Sequence, residues 1–111
     1  MKWIKFFIRP PKITWEQAME KIFNDKNKNI ILLDLRQPFE IKEKKIENSI
    51  SIPLSKINQE YFKLEKNKTI FLFCRSGKRS SIAARILKTK GYENLFNIKG
   101  GIKAYKKTDL N

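Results

Sequence analysis

The sequence predicts a single α/β domain in which a mainly parallel sheet is flanked by helices. Three observations predict it. Residues 30–35 and 69–73 are short apolar runs without polar alternation, as expected of strands buried on both faces of a parallel sheet. Stretches with apolar residues at helical spacing alternate with these runs. The chain has 111 residues, 41% of them hydrophobic and 8 of them Phe, enough for one core and too few for two domains. The expected organisation is a basic, aromatic N-terminal segment over residues 1–12 and one domain over 13–108.

The N-terminal segment mixes Trp3, Ile4, Phe6, Phe7 and Ile8 with Lys2 and Lys5, from Met1 onward, and Arg9-Pro10-Pro11 closes the run. It is too short to span a membrane and lacks the small-residue cleavage site of a signal peptide. Packing on the domain and contact of Met1 to Ile8 with a membrane surface are both open for it. Thr14 and Gln17 stand at capping-box spacing at the head of the first helix. Trp15, Ala18, Met19, Ile22 and Phe23 then share one face, which is expected to be core. After the strand at 30–35, Pro38 opens a short helix holding Phe39, Glu40 and Ile41. Arg36 is placed to pair with Glu40 and brace the loop.

Residues 49–53 read as a short strand, and Leu54, Ile57, Tyr61 and Leu64 as one irregular helix before a turn at 65–68. The strand Thr69–Phe73 leads to a helix over 80–90 carrying Ile82, Ala83, Ile86 and Leu87, which Gly91 stops. Leu95–Ile98 is the last strand. Lys99-Gly100-Gly101-Ile102 then turns into a final helix holding Ile102 and Tyr105.

Composition excludes several chemistries. A single Cys rules out an internal disulfide and fits a reducing compartment, so a cytoplasmic location is expected. The absence of His removes Cys–His and Ser–His–Asp catalysis together with the commonest metal ligands. No Cys/His cluster or paired-carboxylate motif replaces them, and no metal is expected. Lys and Arg number 25 against 11 Asp and Glu, a net charge of +14. Charge of that size steers anions. Solvated lysines beside asparagines in turns account for much of it, and this reading is favoured over specific nucleic-acid binding.

The chemistry concentrates between the strand Thr69–Phe73 and the helix that follows, at Cys74, Arg75, Ser76, Gly77, Lys78, Arg79 and Ser80. A thiol there faces successive backbone N–H groups, a helix N-terminus and three cations. All of these favour thiolate over thiol, so the Cys74 pKa is expected to be lowered. Ser76 and Gly77 let the backbone curl around whatever the sulfur carries. The result is a cradle for an anion borne by a nucleophilic sulfur.

Cys-Arg-Ser-Gly-Lys-Arg-Ser after an apolar strand resembles the active-site loop of the single-domain rhodanese-like sulfurtransferases, and the resemblance runs from about Ile13 to Tyr105. Asp34, Arg36 and Glu40 match the family's Asp-x-Arg-x-x-x-Glu pattern, here read as scaffold. Asn97, Gly100, Gly101, Ile102, Ala104 and Tyr105 match its closing pattern. Lys44 and Lys45 stand where the family usually shows Gly-His, and Asn48 where it shows a second Gly, an exchange that suits a left-handed turn. These departures bear on hydrogen bonding in that turn, not on the sulfur chemistry. The resemblance implies that Cys74 takes a sulfane sulfur from an anionic donor such as thiosulfate, holds it as a persulfide and passes it to a thiol or protein acceptor. No cofactor is implied. The N–H groups from Arg75 to Ser80 would hold the terminal sulfur. Arg75 and Arg79 would make forked contacts to the donor, and Lys78 would add charge.

Two other readings share Cys74. Cysteine phosphatases and arsenate reductases also lead a strand-to-helix loop with Cys, but place one more residue between Cys and Arg. The four residues separating Cys74 from Arg79 make a smaller ring, better suited to sulfur than to phosphate. An acid for that chemistry would have to be Asp34 or Asp109. The third reading is a sulfur-relay or binding module docking RNA or an acidic protein. Against RNA, most of the Phe residues fall in expected core patterns.

Overall fold

β4 (Thr69–Phe73) runs through the middle of a five-stranded sheet ordered β1-β5-β4-β2-β3, in which every pairing is parallel. The computed structural model describes residues 2–106. The other strands are β1 (Lys12–Ile13), β2 (Ile30–Asp34), β3 (Ile50–Ser51) and β5 (Leu95–Ile98). The helices are α1 (Lys2–Phe6), α2 (Trp15–Phe23), α3 (Pro38–Glu43), α4 (Ile57–Glu60) and α5 (Lys78–Thr89). Asp109 and the end of the expected domain lie outside the described residues.

The unbroken apolar runs have a direct cause. Successive β4 side chains enter two different cores, so neither face can be polar. Ile70 and Leu72 join Leu33, Leu35, Ala83 and Leu87 on one side. Phe71 and Phe73 join Leu32, Trp15, Ala18 and Ile98 on the other. Truncating any of these fully buried β4 side chains to Ala costs about 2–5 kcal/mol of contacts and cavity. The sheet therefore holds the carboxyl end of β4 firmly, and Cys74 is the next residue.

The strands β4 and β5 have the bounds that the sequence predicts. The α2 capping box also forms as expected: the Gln17 N–H donates to Thr14 Oγ1 at 3.1 Å, and the Thr14 N–H to Gln17 Oε1 at 3.0 Å. Phe23 is a correction. It is 82% exposed, because it is the last helical residue and the chain leaves the sheet there. Phe7, Phe39 and Phe62 are exposed too, so half of the eight Phe residues are exposed.

β1 is an element that the sequence does not announce. Pro11 and Ile13 accept from the Asn97 and Lys99 N–H groups at 2.9 and 2.8 Å, adding an edge strand beside β5. The expected irregular helix divides into a 3₁₀ turn at Leu54–Lys56, α4, and a second 3₁₀ turn at Tyr61–Lys63. The final helix is a 3₁₀ turn at Gly101–Ala104. Asn48 adopts φ +66°, as its place in the family pattern requires. Beside it Lys45 Nζ donates to the Ser49 carbonyl at 3.1 Å and Oγ at 3.2 Å, binding the turn where the family's Gly-His is missing.

The N-terminal segment packs on the domain through α1 and α5. The Arg85 guanidinium lies 6.0 Å from the Phe6 ring centroid, and Lys5 sits 3.7 Å from Glu93. Among the described residues no helix is long and apolar enough to cross a membrane.

Gly101 closes the structure around Cys74. Its φ is +55°, and an added Cβ would sit 2.6 Å from the carbonyl atoms of Arg75 and press on the Cys74 carbonyl. Its own carbonyl accepts from buried Trp15 Nε1 at 2.7 Å. Gly101→Ala should therefore cost about 2–4 kcal/mol by forcing backbone against backbone. Chemical denaturation would measure this. A loss no larger than that of an exposed substitution such as Lys103→Ala would refute the close approach.

Candidate active site

The site is built where an enforced strand end meets a glycine-permitted turn. Gly77 is the N-cap of α5 and takes φ +113°, a conformation that other residues adopt only with strain. That turn aims two backbone donors back at the sulfur: the N–H of Gly77 lies 3.1 Å and that of Ser80 3.4 Å from Cys74 Sγ. Ser80 Oγ is also 3.4 Å from Sγ. The Cys74 side chain is 1% exposed. Burial pushes the thiol pKa up, while the Ser80 hydroxyl and the N–H groups of Ser80, Gly77 and Ser76 pull it down. The pull wins, and the thiol ionises below its ordinary value.

Asn97 is a site residue that the sequence reading assigned only to the closing pattern. Its Nδ2 donates to the Gly77 carbonyl at 3.1 Å, and its Oδ1 accepts from Ser80 Oγ at 2.6 Å. One amide thus fixes both the special turn and the hydroxyl beside the sulfur. A signal was present: Asn97 is the one polar side chain in the strand Leu95–Ile98, and it is buried.

The cations are arranged differently from the sequence expectation. Arg36 does not engage the Glu40 carboxylate. Its Nε and Nη2 donate to Asp34 at 2.8–3.1 Å, while Nη1 and Nη2 reach the carbonyls of Glu40 and Lys44 at 3.2 and 2.7 Å. The Glu40 carboxylate instead takes Arg79 in a forked pair at 2.6 and 2.8 Å. Asp34 and Arg36 are nearly fully buried, so each satisfies a charge the other could not bury alone. Arg79, 30% exposed, holds the Glu40 pKa at about 2, well under its usual 4.5. Arg79 in turn is raised, first by the hydrogen bond to Glu40 and less by the charges of Glu40, Cys74 and Asp34. The thiolate therefore rests on hydrogen bonds more than on arginine charge. Arg75, Ser76 and Lys78 are exposed on the loop.

The loop is anchored from the far end of the chain as well. The Ile102 N–H donates to the Cys74 carbonyl at 2.7 Å and that of Lys103 to the Arg75 carbonyl at 3.2 Å. Two cavities flank it. One, of about 650 Å³, is lined by Arg75, Arg79, Glu40, Phe39, Lys44 and Lys103 among others. The other, of about 700 Å³, meets the loop at Ser76, Gly77 and Lys78.

A strand-to-helix loop that points backbone donors at a single sulfur, on a sheet of this order, defines a class. The family model for the rhodanese-like domain matches residues 14–108. The chain belongs to the rhodanese-like domain family. It is 32% identical over 82 residues to a sulfurtransferase of Allochromatium vinosum, covering 74% of this chain and 77% of that one. It is 32% identical over 93 residues to a putative sulfur carrier protein of Bacillus subtilis, covering 84% of this chain but spanning only 49% of that protein's length. The crystal structure of a rhodanese-related protein from Thermoplasma volcanium superposes with a TM-score of 0.74 at 33% identity, covering 85% of this chain and 88% of that one. Family and names together support a sulfur-transfer role in general terms.

Two outcomes are expected. Ser80→Ala should raise the Cys74 pKa more than Arg79→Ala does, because the hydroxyl outweighs the guanidinium at the sulfur. The pH dependence of iodoacetamide labelling reads both, and the reverse order would overturn this account. The Glu40–Arg79 pair contributes stability that is full above pH 4.5 and is lost as the pH falls toward about 2. Glu40→Gln should flatten that part of the stability curve by about 1–2 kcal/mol after solvent screening, measurable by acid titration of denaturation midpoints.

Proposed function

We propose that this protein is a sulfurtransferase that works through a persulfide on Cys74. The observation that carries the reading is a nearly inaccessible sulfur receiving the N–H groups of Gly77 and Ser80 beside the Ser80 hydroxyl. Structural cysteines pack among apolar atoms, where burial raises their pKa; here the donors reverse that effect.

With thiosulfate as donor, the Cys74 thiolate attacks the outer, sulfane sulfur. The new S–S bond forms as the bond to the sulfonate sulfur breaks, and sulfite departs with the electron pair. The extra sulfur occupies the bowl formed by the loop, its charge facing backbone N–H groups. An acceptor nucleophile, cyanide in the assay or a thiolate, then attacks that outer sulfur, and the Cys74 thiolate leaves unchanged. No net oxidation of the protein occurs. Arg75 is the exposed loop guanidinium that makes no ion pair among the described residues, so it serves as first contact for an anionic donor. Arg79, held by Glu40, positions the loop and lends charge at longer range. The names of the Allochromatium and Bacillus relatives support this reading. The four-residue spacing from Cys74 to Arg79 supports it over phosphate chemistry. A reducing, cytoplasmic setting suits a lone thiol that must stay uncapped.

Intact mass after incubation with thiosulfate should show one added sulfur on the wild type and none on Cys74→Ser, and cyanide should remove it as thiocyanate. A Cys74→Ser protein that still moves sulfur from thiosulfate to cyanide would overturn the assignment.

A further inference from the structure

The second cavity beside the loop holds charge that, Lys78 apart, the sulfur chemistry does not use. Arg9, Lys12, Lys78, Arg85 and Lys99 line it, and no carboxylate does. Six cations form ion pairs among the described residues: Arg36 with Asp34, Arg79 with Glu40, Lys5 and Lys88 with Glu93, Lys63 with Glu60 and Lys68 with Glu65. None of the five groove cations takes part in those ion pairs. Arg85 adds a second anomaly, for its Nε is buried with no hydrogen-bond partner. A buried donor left unmade costs stability unless a ligand completes it. Five like charges gathered in one concavity also repel one another, and a bound anion removes that repulsion.

We propose that this groove binds a small ligand carrying two or three phosphates. Its use as the handle of a sulfur donor or acceptor rests on the sulfurtransferase reading, while the binding itself does not. The size argues for more than thiosulfate, since about 700 Å³ far exceeds what one small oxyanion fills. The walls argue for a compact ligand rather than a nucleic-acid strand. The segment from Arg9 to Lys12 entering β1, the first turns of α5 and the turn at Lys99 and Gly100 line this half-open groove, and no aromatic ring lines it for bases to stack upon. The location argues for relevance to the reaction. Ser76, Gly77 and Lys78 belong both to the groove and to the loop around Cys74, so a ligand seated by its phosphates lies against the sulfur site.

The test uses the full chain carrying Cys74→Ser, so that binding is read without sulfur transfer. Calorimetry with ADP, tripolyphosphate and adenosine as probes should show binding of the first two and not of adenosine. Lys99→Gln and Arg85→Gln should each weaken ADP binding about tenfold, as expected for loss of a charged phosphate contact. Lys12→Gln, on an exposed side chain, provides the same test should Arg85→Gln fold poorly. Lys26→Gln, remote from the groove, should change binding by less than about twofold and so exclude a general charge effect. Absence of ADP binding, or equal binding by the groove variants and wild type, would overturn the proposal. So would an oligouridine that binds about tenfold more tightly than ADP and loses affinity between about 50 and 200 mM salt more steeply as it lengthens, which is the behaviour of a strand-binding surface. Loading of wild-type Cys74 by thiosulfate is scored separately by mass, so failure of either idea leaves the other standing.

Discussion

A sulfur anion with almost no exposed surface persists only if hydrogen-bond donors replace the water it has lost. Much of the architecture around Cys74 follows from that constraint. Backbone N–H groups are the least mobile donors a chain possesses, and aiming two of them at one atom requires the chain to reverse within a few residues. Gly77 supplies the reversal, α5 supplies the N–H of Ser80 from its unsatisfied first turn, and β4 fixes the point from which both are measured. The Cys74 and Arg75 carbonyls, which face away from this use, are taken up by the N–H groups of Ile102 and Lys103. Donors serve the sulfur and acceptors serve the scaffold, so the loop is held without spending a group that the anion needs.

Ser80 shows how closely the two demands are balanced. One hydroxyl proton is shared among Asn97 Oδ1 at 2.6 Å, the Gly77 carbonyl at 3.2 Å and Cys74 Sγ at 3.4 Å. With the thiol protonated, Ser80 can donate to Asn97 and accept from sulfur; with the thiolate, the same hydroxyl can turn its proton to the anion. The site can follow a change in sulfur charge without moving a backbone atom. The shortest of the three contacts goes to Asn97, so this adjustment is governed by a residue in β5 that never touches the sulfur.

What the sequence made legible was whatever depends on local pattern or on burial of whole runs. Thr69–Phe73 and Leu95–Ile98 were readable because both faces of each strand are occupied, and the Thr14–Gln17 cap because it lies within one turn. Phe23 misled because helical periodicity says which side a residue faces but not whether the sheet still extends beneath it. β1 was hidden because two residues carry no periodicity, and the edge is defined by backbone partners in β5. The carboxylate partners were exchanged for a similar reason. Arg36 and Glu40 are four apart, and local spacing favours pairing them. Yet Asp34 is buried two residues before Arg36 and must be neutralised there, which frees Glu40 to reach Arg79, 39 residues onward.

That exchange has a consequence for how charge is distributed about the loop. Arg36 and Arg79 lie on the side where Asp34 and Glu40 neutralise them, and there the guanidiniums act as braces. Of the +14 charge, cations outside the ion pairs lie on both sides of the loop: Arg75, Lys44 and Lys103 in the cavity with Glu40 and Glu43, and Arg9, Lys12, Lys78, Arg85 and Lys99 in the groove without a carboxylate. A field from unpaired cations acts on anything negative that approaches, whereas a paired cation contributes little beyond contact distance. Net charge alone reads as a solvated surface, and composition cannot separate the two. The separation comes from which carboxylates are already committed. Because the eleven acidic residues are too few to reach every face, their placement decides where an anion is drawn. Of the two cavities that flank Cys74's loop, Glu40 and Glu43 line one and no acidic residue lines the other.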